Sequence, residues 1–497
     1  MSKSLILCDC LKTQSFDVET LSKSAGLPCS RVHTALCTKE LGDAAVLLEK
    51  GDAVVACLQE RQVFEELAEE LGAEMPEFVD LRDRAGWSED GAKSTPKMAA
   101  LAAESLLAPH SVKMLDVESS GQCLIIGNAD VALAAAEQLS EILSVTVLLN
   151  DAADVAIPNG YDLVLGKLRS ARGSLGNFDV KIDALQLSIS GGRGDIKFEA
   201  PRDGGRTTCD ILLDLRGDTP LFHHKRDGYI RPDPRDPKAV AKAVFDASQL
   251  VGGFEKPFYI ALEPHLCAHT RAGISGCSNC IDTCQTGAIS SDGEHVKIDA
   301  NICAGCGGCA SMCPSGAITF DALPLEYLLQ RVETMSKAYR AAGGVSPRLL
   351  VHDAEFGGEM ISLAARFGRG LPADVIPLEV ESLTNFGHAE ILAALGCGYT
   401  AVDLLLTPTS ERPTIEVAVE LAQVLGAEGR IRMLDVSEPD ALSDALYGQT
   451  VAKSTASILP IGNRRQVTRL AAKALIADER TIALPMGAPY GAVVVDQ

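Results

Sequence analysis

Aromatic side chains are scarce: Phe, Trp and Tyr make up 4% of the 497 residues, and Trp87 is the single tryptophan. The cores of this chain are therefore aliphatic. Positive charge is also short, with 45 Lys and Arg against 67 Asp and Glu, a net charge of −22. That balance disfavours roles that depend on attracting a phosphate backbone or an anionic lipid surface, so no nucleic-acid partner is expected. No apolar run reaches the roughly 18 residues needed to cross a bilayer, and the longer ones, 44–48 and 401–406, are broken by charge or turn residues. No membrane insertion is expected. The opening MSKSLILCDCLK has too short an apolar stretch for a secretory signal, which points to a cytoplasmic location. No Ser/His/Asp nucleophile set and no phosphate loop can be found, so no catalytic residue is assigned.

What is abundant is cysteine, sixteen in all. In a long chain without a secretory signal, cysteines grouped as Cys-x-x-Cys indicate metal rather than disulfides. GCSNCIDTCQTGAIS (276–290) and GCGGCASMCPSGAIT (305–319) are two copies of one pattern, offset by 29 residues. Cys277, Cys280 and Cys284 map onto Cys306, Cys309 and Cys313, and each copy has one upstream cysteine, Cys267 or Cys303. The second copy reads Cys303-x2-Cys306-x2-Cys309-x3-Cys313-Pro314.

That spacing resembles the two-cluster bacterial ferredoxin family, in which the fourth cysteine of each run ligates the other cluster. The resemblance implies one 4Fe-4S cluster on Cys267, Cys277, Cys280 and Cys313, and a second on Cys303, Cys306, Cys309 and Cys284. Two features depart from the pattern. Nine residues separate Cys267 from Cys277 instead of two, an insertion that can loop out and return the thiolate, and Gln285 replaces the proline after the last cysteine. Two matched copies leave little room for zinc or free thiols.

The first eighty residues alternate strand-like segments (5–7, 31–36, 53–56, 77–81) with amphipathic ones, which implies a parallel sheet. Cys8 and Cys10 follow the first strand, Cys37 the second, and Cys57 closes the third. All four fall at the carboxyl edge, where open α/β sheets bind ligands, whereas Cys29 falls at the other edge. They are expected to hold a third 4Fe-4S cluster. The segments LCDC, ALCTKE, VVACLQERQVFEEL and FVDLRDRAGWSED resemble the N-terminal region of the A-type subunit of heterodisulfide reductase, whose cysteines in this arrangement hold such a cluster.

Residues 122–127, 129–143 and 144–150 read as the strand, helix and strand that open a Rossmann unit. The loop is degenerate: Gly127 is followed by Asn128, Ala129 and Asp130, so the glycine that admits pyrophosphate is missing and an acid competes for the helix N-terminus. Gly127 and Asp151 are the residues that FAD would meet, and FAD is not expected to bind. LGKLRSARGSLGNFDVKID (165–183) resembles the flavoprotein part of the same heterodisulfide reductase component. Cys123 and Cys209 read as core residues, and His223 and His224 as a polar turn.

Beyond a helical stretch ending at Gly343-Gly344, strand-like segments recur at 348–352, 375–380, 402–407, 430–436, 457–461 and 481–484. Helical stretches separate them, so a doubly wound sheet is expected. The pattern resembles the small iron-sulfur protein that joins hydrogenase to heterodisulfide reductase, without its cluster cysteines; Cys397 reads as a core or turn residue. Residues 491–497 resemble the strand leading into the second cysteine run.

The expected fold class is α/β. An N-terminal parallel α/β iron-sulfur domain (1–110) precedes a degenerate Rossmann-like domain (111–260) and an inserted two-cluster ferredoxin domain of α+β type (261–322). A helical linker (323–345) and a C-terminal doubly wound α/β domain (346–497) complete it. The expected function is electron transfer within an oxidoreductase complex, with redox proteins as partners, of formate dehydrogenase or hydrogenase type by resemblance. The alternatives are an iron-sulfur maturation or assembly factor and an FAD-dependent, heterodisulfide-reductase-like oxidoreductase component.

Overall fold

The structure, a computed structural model, describes residues 3–151, 160–189, 196–222, 224–270, 273–274, 276–449, 457–476, 481–486 and 488–490. It is an α/β protein whose three larger sheets are built on parallel strands. The chain divides into two compact units: Met1–Ser111, Leu262–Cys267 and Gly305–Gln497 form one, and Val112–Ala261 with Ala268–Ala304 the other.

The first unit begins with β1 (Ser4–Cys8), α1 (Val18–Ala25), β2 (Cys29–His33), α2 (Leu41–Leu48), β3 (Ala53–Val55), α3 (Arg61–Leu71), β4 (Glu77–Phe78) and α4 (Thr95–Glu104). The strands are parallel in the order β2-β1-β3-β4. Successive β1 side chains point to opposite faces, so Leu5 and Leu7 pack with Leu21 of α1 while Ile6 packs with Phe64 and Ala68 of α3. Both faces are covered, as a parallel sheet requires. The second strand ends at His33 and not at Leu36, because the Glu40 carboxylate accepts from the Thr34 and Ala35 N–H groups at 2.6 and 2.7 Å and bends the chain away from the sheet.

The second unit contains β5 (Met114–Ser119), β6 (Gln122–Gly127), α5 (Ala129–Leu139), β7 (Ser144–Leu149), β8 (Asp162–Arg172), β9 (Phe178–Ile189), β10 (Lys197–Phe198), β11 (Gly205–Cys209), β12 (Ile211–Leu215) and β13 (Tyr229–Ile230). After these come α6 (Pro237–Ser248), β14 (Gly252–Pro257), β15 (Ile260–Leu262, whose last residue falls in the first unit), α7 (Asn279–Thr283), β16 (Ile289–Asp292) and β17 (His295–Ile298). Strands β8, β7, β6, β12 and β13 run parallel in that spatial order. An antiparallel β8–β9 hairpin extends the sheet, and β16 and β17 form a separate hairpin.

The first unit resumes with α8 (Gly308–Ser311), β18 (Ile318–Phe320), α9 (Leu325–Ala341), β19 (Arg348–His352), α10 (Phe356–Phe367), β20 (Val375–Glu379), α11 (His388–Gly396), β21 (Ala401–Leu405), α12 (Arg412–Ala422), β22 (Ile431–Leu434), α13 (Pro439–Leu446) and α14 (Arg464–Leu475). Its sheet is parallel in the order β20-β19-β21-β22. The stretch read as a linker forms α9, which buries Leu328, Val332, Met335 and Tyr339 against Leu349, Ile376 and Leu404, with Ala100 of α4 in the same core. The fully buried Lys97 of α4 donates to the Leu371 and Pro372 carbonyls, and burial pulls its pKa down to about 7. The segments 457–461 and 481–484 are not strands. Their apolar residues serve the core as loop: the Ile458 N–H donates to Gly396, and Ile458 and Ile482 pack on the sheet's helical layer. Residues 491–497 lie outside the described residues. Among the described residues, no helix is long and apolar enough to cross a membrane.

Candidate metal centres

The order β2-β1-β3-β4 places a topological switch point beside β1, and ligands of open α/β sheets sit at the carboxyl ends of the strands there. Cys8 is the last residue of β1, Cys37 lies in the turn after β2, and Cys57 follows β3. These three and Cys10 line one cavity of about 160 Å³, whose other walls mix apolar groups such as Ala35, Ala56 and Phe64 with polar ones, Gln14, Thr34, Thr38 and the carboxylate of Glu60 among them. Cys29 lies elsewhere, paired with Leu5 at the start of β1. A single tetrahedral zinc with bonds near 2.3 Å would hold its sulfurs about 3.8 Å apart. Among the described residues no three cysteine sulfurs lie within 4.8 Å of one another. The nearby set His33, Glu40 and Asp43 does come that close, but Arg31 already pairs with both carboxylates.

The Cys8-Asp9-Cys10 loop is strained. Cys10, Leu11 and Lys12 have φ of 49, 61 and 65°, a left-handed run that costs non-glycine residues about 1–2 kcal/mol each. Hydrogen bonds hold it there: Asp9 N–H to the His33 carbonyl at 2.7 Å, Leu11 N–H to Thr34 at 2.8 Å, and Gln14 Nε2 to Cys8 at 2.9 Å. Strained non-glycine backbone of this kind clusters at functional sites. Burial pushes the Cys8, Cys37 and Cys57 thiols above their ordinary pKa. Metal binding deprotonates such thiols outright.

Arg82, which sequence reasoning did not single out, also lines this cavity. Its Nη1 lies 4.0 Å from Cys10 Sγ, its Nε donates to Asp83 at 2.7 Å, and its guanidinium stacks 4.1 Å from the Trp87 ring centre. The only sequence signal is the Arg82-Asp83-Arg84 run beside the lone tryptophan.

In the internal repeat, Cys280 lies within α7 and Cys284 caps it, with Cys277 just before; Cys309 lies in α8, between Cys306 and Cys313. The two short helices begin 29 residues apart, like the cysteines. The copies share their turns as well, since Gly287 and Gly316 are both left-handed, at φ 67 and 72°. Both then enter strands through a buried isoleucine, Ile289 or Ile318. Cys267, Cys280 and Cys309 are buried and the other five are half-buried. Cys303 is tied by its N–H to Asp299 at 3.0 Å. The long segment before Cys277 is organised by buried His269, whose ring bonds the Cys277 carbonyl at 2.7 Å and the Ser291 hydroxyl at 2.8 Å. His269 had no sequence signal beyond proximity to the cysteines.

Residues 275–317 match the 4Fe-4S dicluster domain family. The chain is thus an iron-sulfur protein with a ferredoxin-like domain, a module whose chemistry is electron transfer. A search of curated proteins found no match to the chain.

Within the first unit, the second cysteine run of the dicluster domain docks on the carboxyl edge of the C-terminal sheet. Thr384 Oγ1 donates to the Cys306 carbonyl. Gly307, at φ 75°, lies so close to Asn385 that a Cβ there would sit 2.7 Å from the Asn385 Cβ. Arg464 fixes Asn385 by bonds to its carbonyl and Oδ1 at 3.2 and 3.1 Å, and pairs with buried Glu390 at 2.7 Å. A second sheet's switch point is thereby given over to a cluster loop. Cys397 is a core residue at the end of α11, its thiol pushed up to about 12 by burial.

The Rossmann-like loop is different. Gly127 ends β6 with its Cα against β12, where a Cβ would lie 2.8 Å from that of Leu215. The glycine serves strand packing. Asp151 is exposed after β7, and Asn128 makes no side-chain cap on α5. Buried Asp214 at the same edge is satisfied by Arg216 and the Tyr229 hydroxyl. Cys123 and Cys209 are buried in β6 and β11, where burial raises both thiols, Cys209 to about 12. His224 is half-buried in a bend, and His223 lies outside the described residues.

Proposed function

We propose that the protein is an electron-transfer subunit carrying three 4Fe-4S clusters, two in the dicluster domain and one at the N-terminal switch point. The observation that carries this reading is the match of 275–317 to the dicluster family. Cys267, Cys277, Cys280 and Cys313 would hold one cluster, Cys303, Cys306, Cys309 and Cys284 the second, and Cys8, Cys10, Cys37 and Cys57 the third. A bound 4Fe-4S cluster supplies reversible one-electron chemistry at a potential set by burial, charge and hydrogen bonds. The chain contributes buried and half-buried cysteine sulfurs, a polar backbone around them, and the Arg82 cation at the N-terminal cavity. Partners in this reading are redox proteins, of dehydrogenase or hydrogenase type.

The reading does without FAD, because Ala129 stands where the glycine that admits pyrophosphate would be, and Gly127 packs on Leu215. The test is anaerobic reduction of the purified chain, followed by electron paramagnetic resonance, with flavin determined on the same sample. Reversible one-electron reduction, electron exchange with a small redox protein and no flavin are expected. Stoichiometric FAD would instead make it a flavin-dependent oxidoreductase component, and clusters that exchange no electrons would make it a maturation or assembly factor.

A further inference from the structure

The second unit contains a cleft of about 750 Å³ that none of the cluster assignments uses. The β8–β9 hairpin walls one side and the loop following Cys284 the other. Its charge is opposite in sign to that of the chain. Arg172, Arg206, Arg226 and Lys297 line it against Asp179 and Asp299, a positive surplus on a protein of net charge −22. With screening over about 8 Å at physiological salt, a small ion in the cleft feels that local surplus rather than the distant acidic surface.

The charges divide by role. Arg206 is committed to a two-pronged pair with Asp179 at 2.6 and 2.9 Å, and Asp299 accepts from the Asn301 and Ile302 N–H groups. Arg226 is only 9% exposed. Its Nη atoms donate to the Gly173 and Thr286 carbonyls at 3.1 and 2.7 Å, its guanidinium stacks 4.5 Å from the Phe222 ring centre, and its buried Nε has no partner. Arg172 and Lys297 are exposed and form no ion pair among the described residues. They remain available to an anion. Phe222, Ala171, Ala288 and Ile302 give the cleft apolar surface, and nothing lies within 4 Å above the Gly287 Cα. A concave site of this size, with convergent charges beside a smaller apolar surface, has the dimensions of a small-molecule pocket and the polarity that suits a phosphorylated ligand.

We propose that this cleft binds a phosphorylated ring compound of nucleotide size, its phosphate held by Arg172 and Lys297 and its ring beside Phe222 and Gly287. The site adjoins the cluster loop: Thr286 lies two residues after Cys284, its hydroxyl 3.5 Å from the Cys284 sulfur, and Arg226 is near enough to feel the Cys284 charge. A bound anion therefore opposes addition of an electron there. This coupling rests on Cys284 as a cluster ligand, whereas binding itself does not.

The test uses the full chain with its iron content measured, under anaerobic conditions. Calorimetry with adenosine monophosphate is compared with adenosine and inorganic phosphate, the two halves of the probe. One molecule of adenosine monophosphate per chain is expected, with each half at least about tenfold weaker, and about tenfold weaker binding by an Arg172→Glu/Lys297→Glu variant, as for loss of charge-assisted contacts. By reciprocity, about tenfold weaker binding to the reduced protein equals a downward shift of about 59 mV in a one-electron midpoint. Absent binding, phosphate binding as tightly as the nucleotide, or a variant that binds unchanged would each overturn the site. Binding with no shift, in protein with full iron, would overturn the coupling alone. Binding in protein that lacks dicluster iron would support the cleft while contradicting the cluster assignment.

Discussion

Replacing Arg82 by glutamine removes the cation nearest the four N-terminal thiols without leaving Asp83 alone, since Arg366 also holds that carboxylate at 2.7 and 2.9 Å. The fold is expected to survive. Arg82 Nη1 is 4.0 Å from Cys10 Sγ, and two unit charges at 4 Å interact by about 4 kcal/mol at an effective dielectric constant of about 20. An electron added to a cluster spreads over its core beyond that sulfur, at about twice the distance, so the cation stabilises it by about 2 kcal/mol. At about 59 mV per tenfold change for one electron, Arg82→Gln should lower one midpoint by about 90 mV. Arg82→Lys, which keeps the charge but not the planar fork, should fall between. The assay is a potentiometric titration followed by electron paramagnetic resonance, with iron measured in each variant. One midpoint should fall while two stay in place. An unmoved or raised midpoint at wild-type iron content would refute the electrostatic role given to Arg82.

Three further outcomes are expected. Burial holds His388 neutral with its pKa near 4 and lowers that of His352 in the same sense. Their folded pKa values lie below the unfolded one, so the unfolded state takes up more protons below about pH 6.5 and stability falls as pH drops from there toward 4. His388 alone should cost about 2 kcal/mol at pH 5, and His388→Phe should flatten the denaturant midpoint between pH 7 and 5. Gly127→Ala should destabilise by about 1–3 kcal/mol through the clash with Leu215, with no change in flavin content, seen by thermal melting and flavin fluorescence. Gly307→Ala, which meets both a positive φ and Asn385, should loosen the loop of Cys306, with faster iron loss to a chelator than from wild type.

The N-terminal site was legible because β1 and β3 end where their apolar runs end, so Cys8 and Cys57 could be placed on one edge from alternation alone. The second strand was displaced because the turn after it is made by a side chain, Glu40, capturing two backbone N–H groups, which periodicity does not encode. Arg82 was hidden by its 72-residue separation from Cys10. The segments 457–461 and 481–484 carry strand-like apolar residues because they lie against the packed sheet and its helices, and burial without pairing leaves the same pattern. In the dicluster domain, short spacing made the cysteine repeat visible, while the dock on Thr384 and Asn385 depends on residues far along the chain.

The central claim is that this chain holds three clusters. Iron and acid-labile sulfide should be determined per polypeptide on anaerobically purified wild type and on a Cys10→Ser/Cys57→Ser variant. Three four-iron clusters require about twelve iron in the wild type, falling to about eight in the variant with the dicluster signals intact. About eight in both would contradict the N-terminal cluster, and fewer than about eight in the wild type would contradict the dicluster assignment itself.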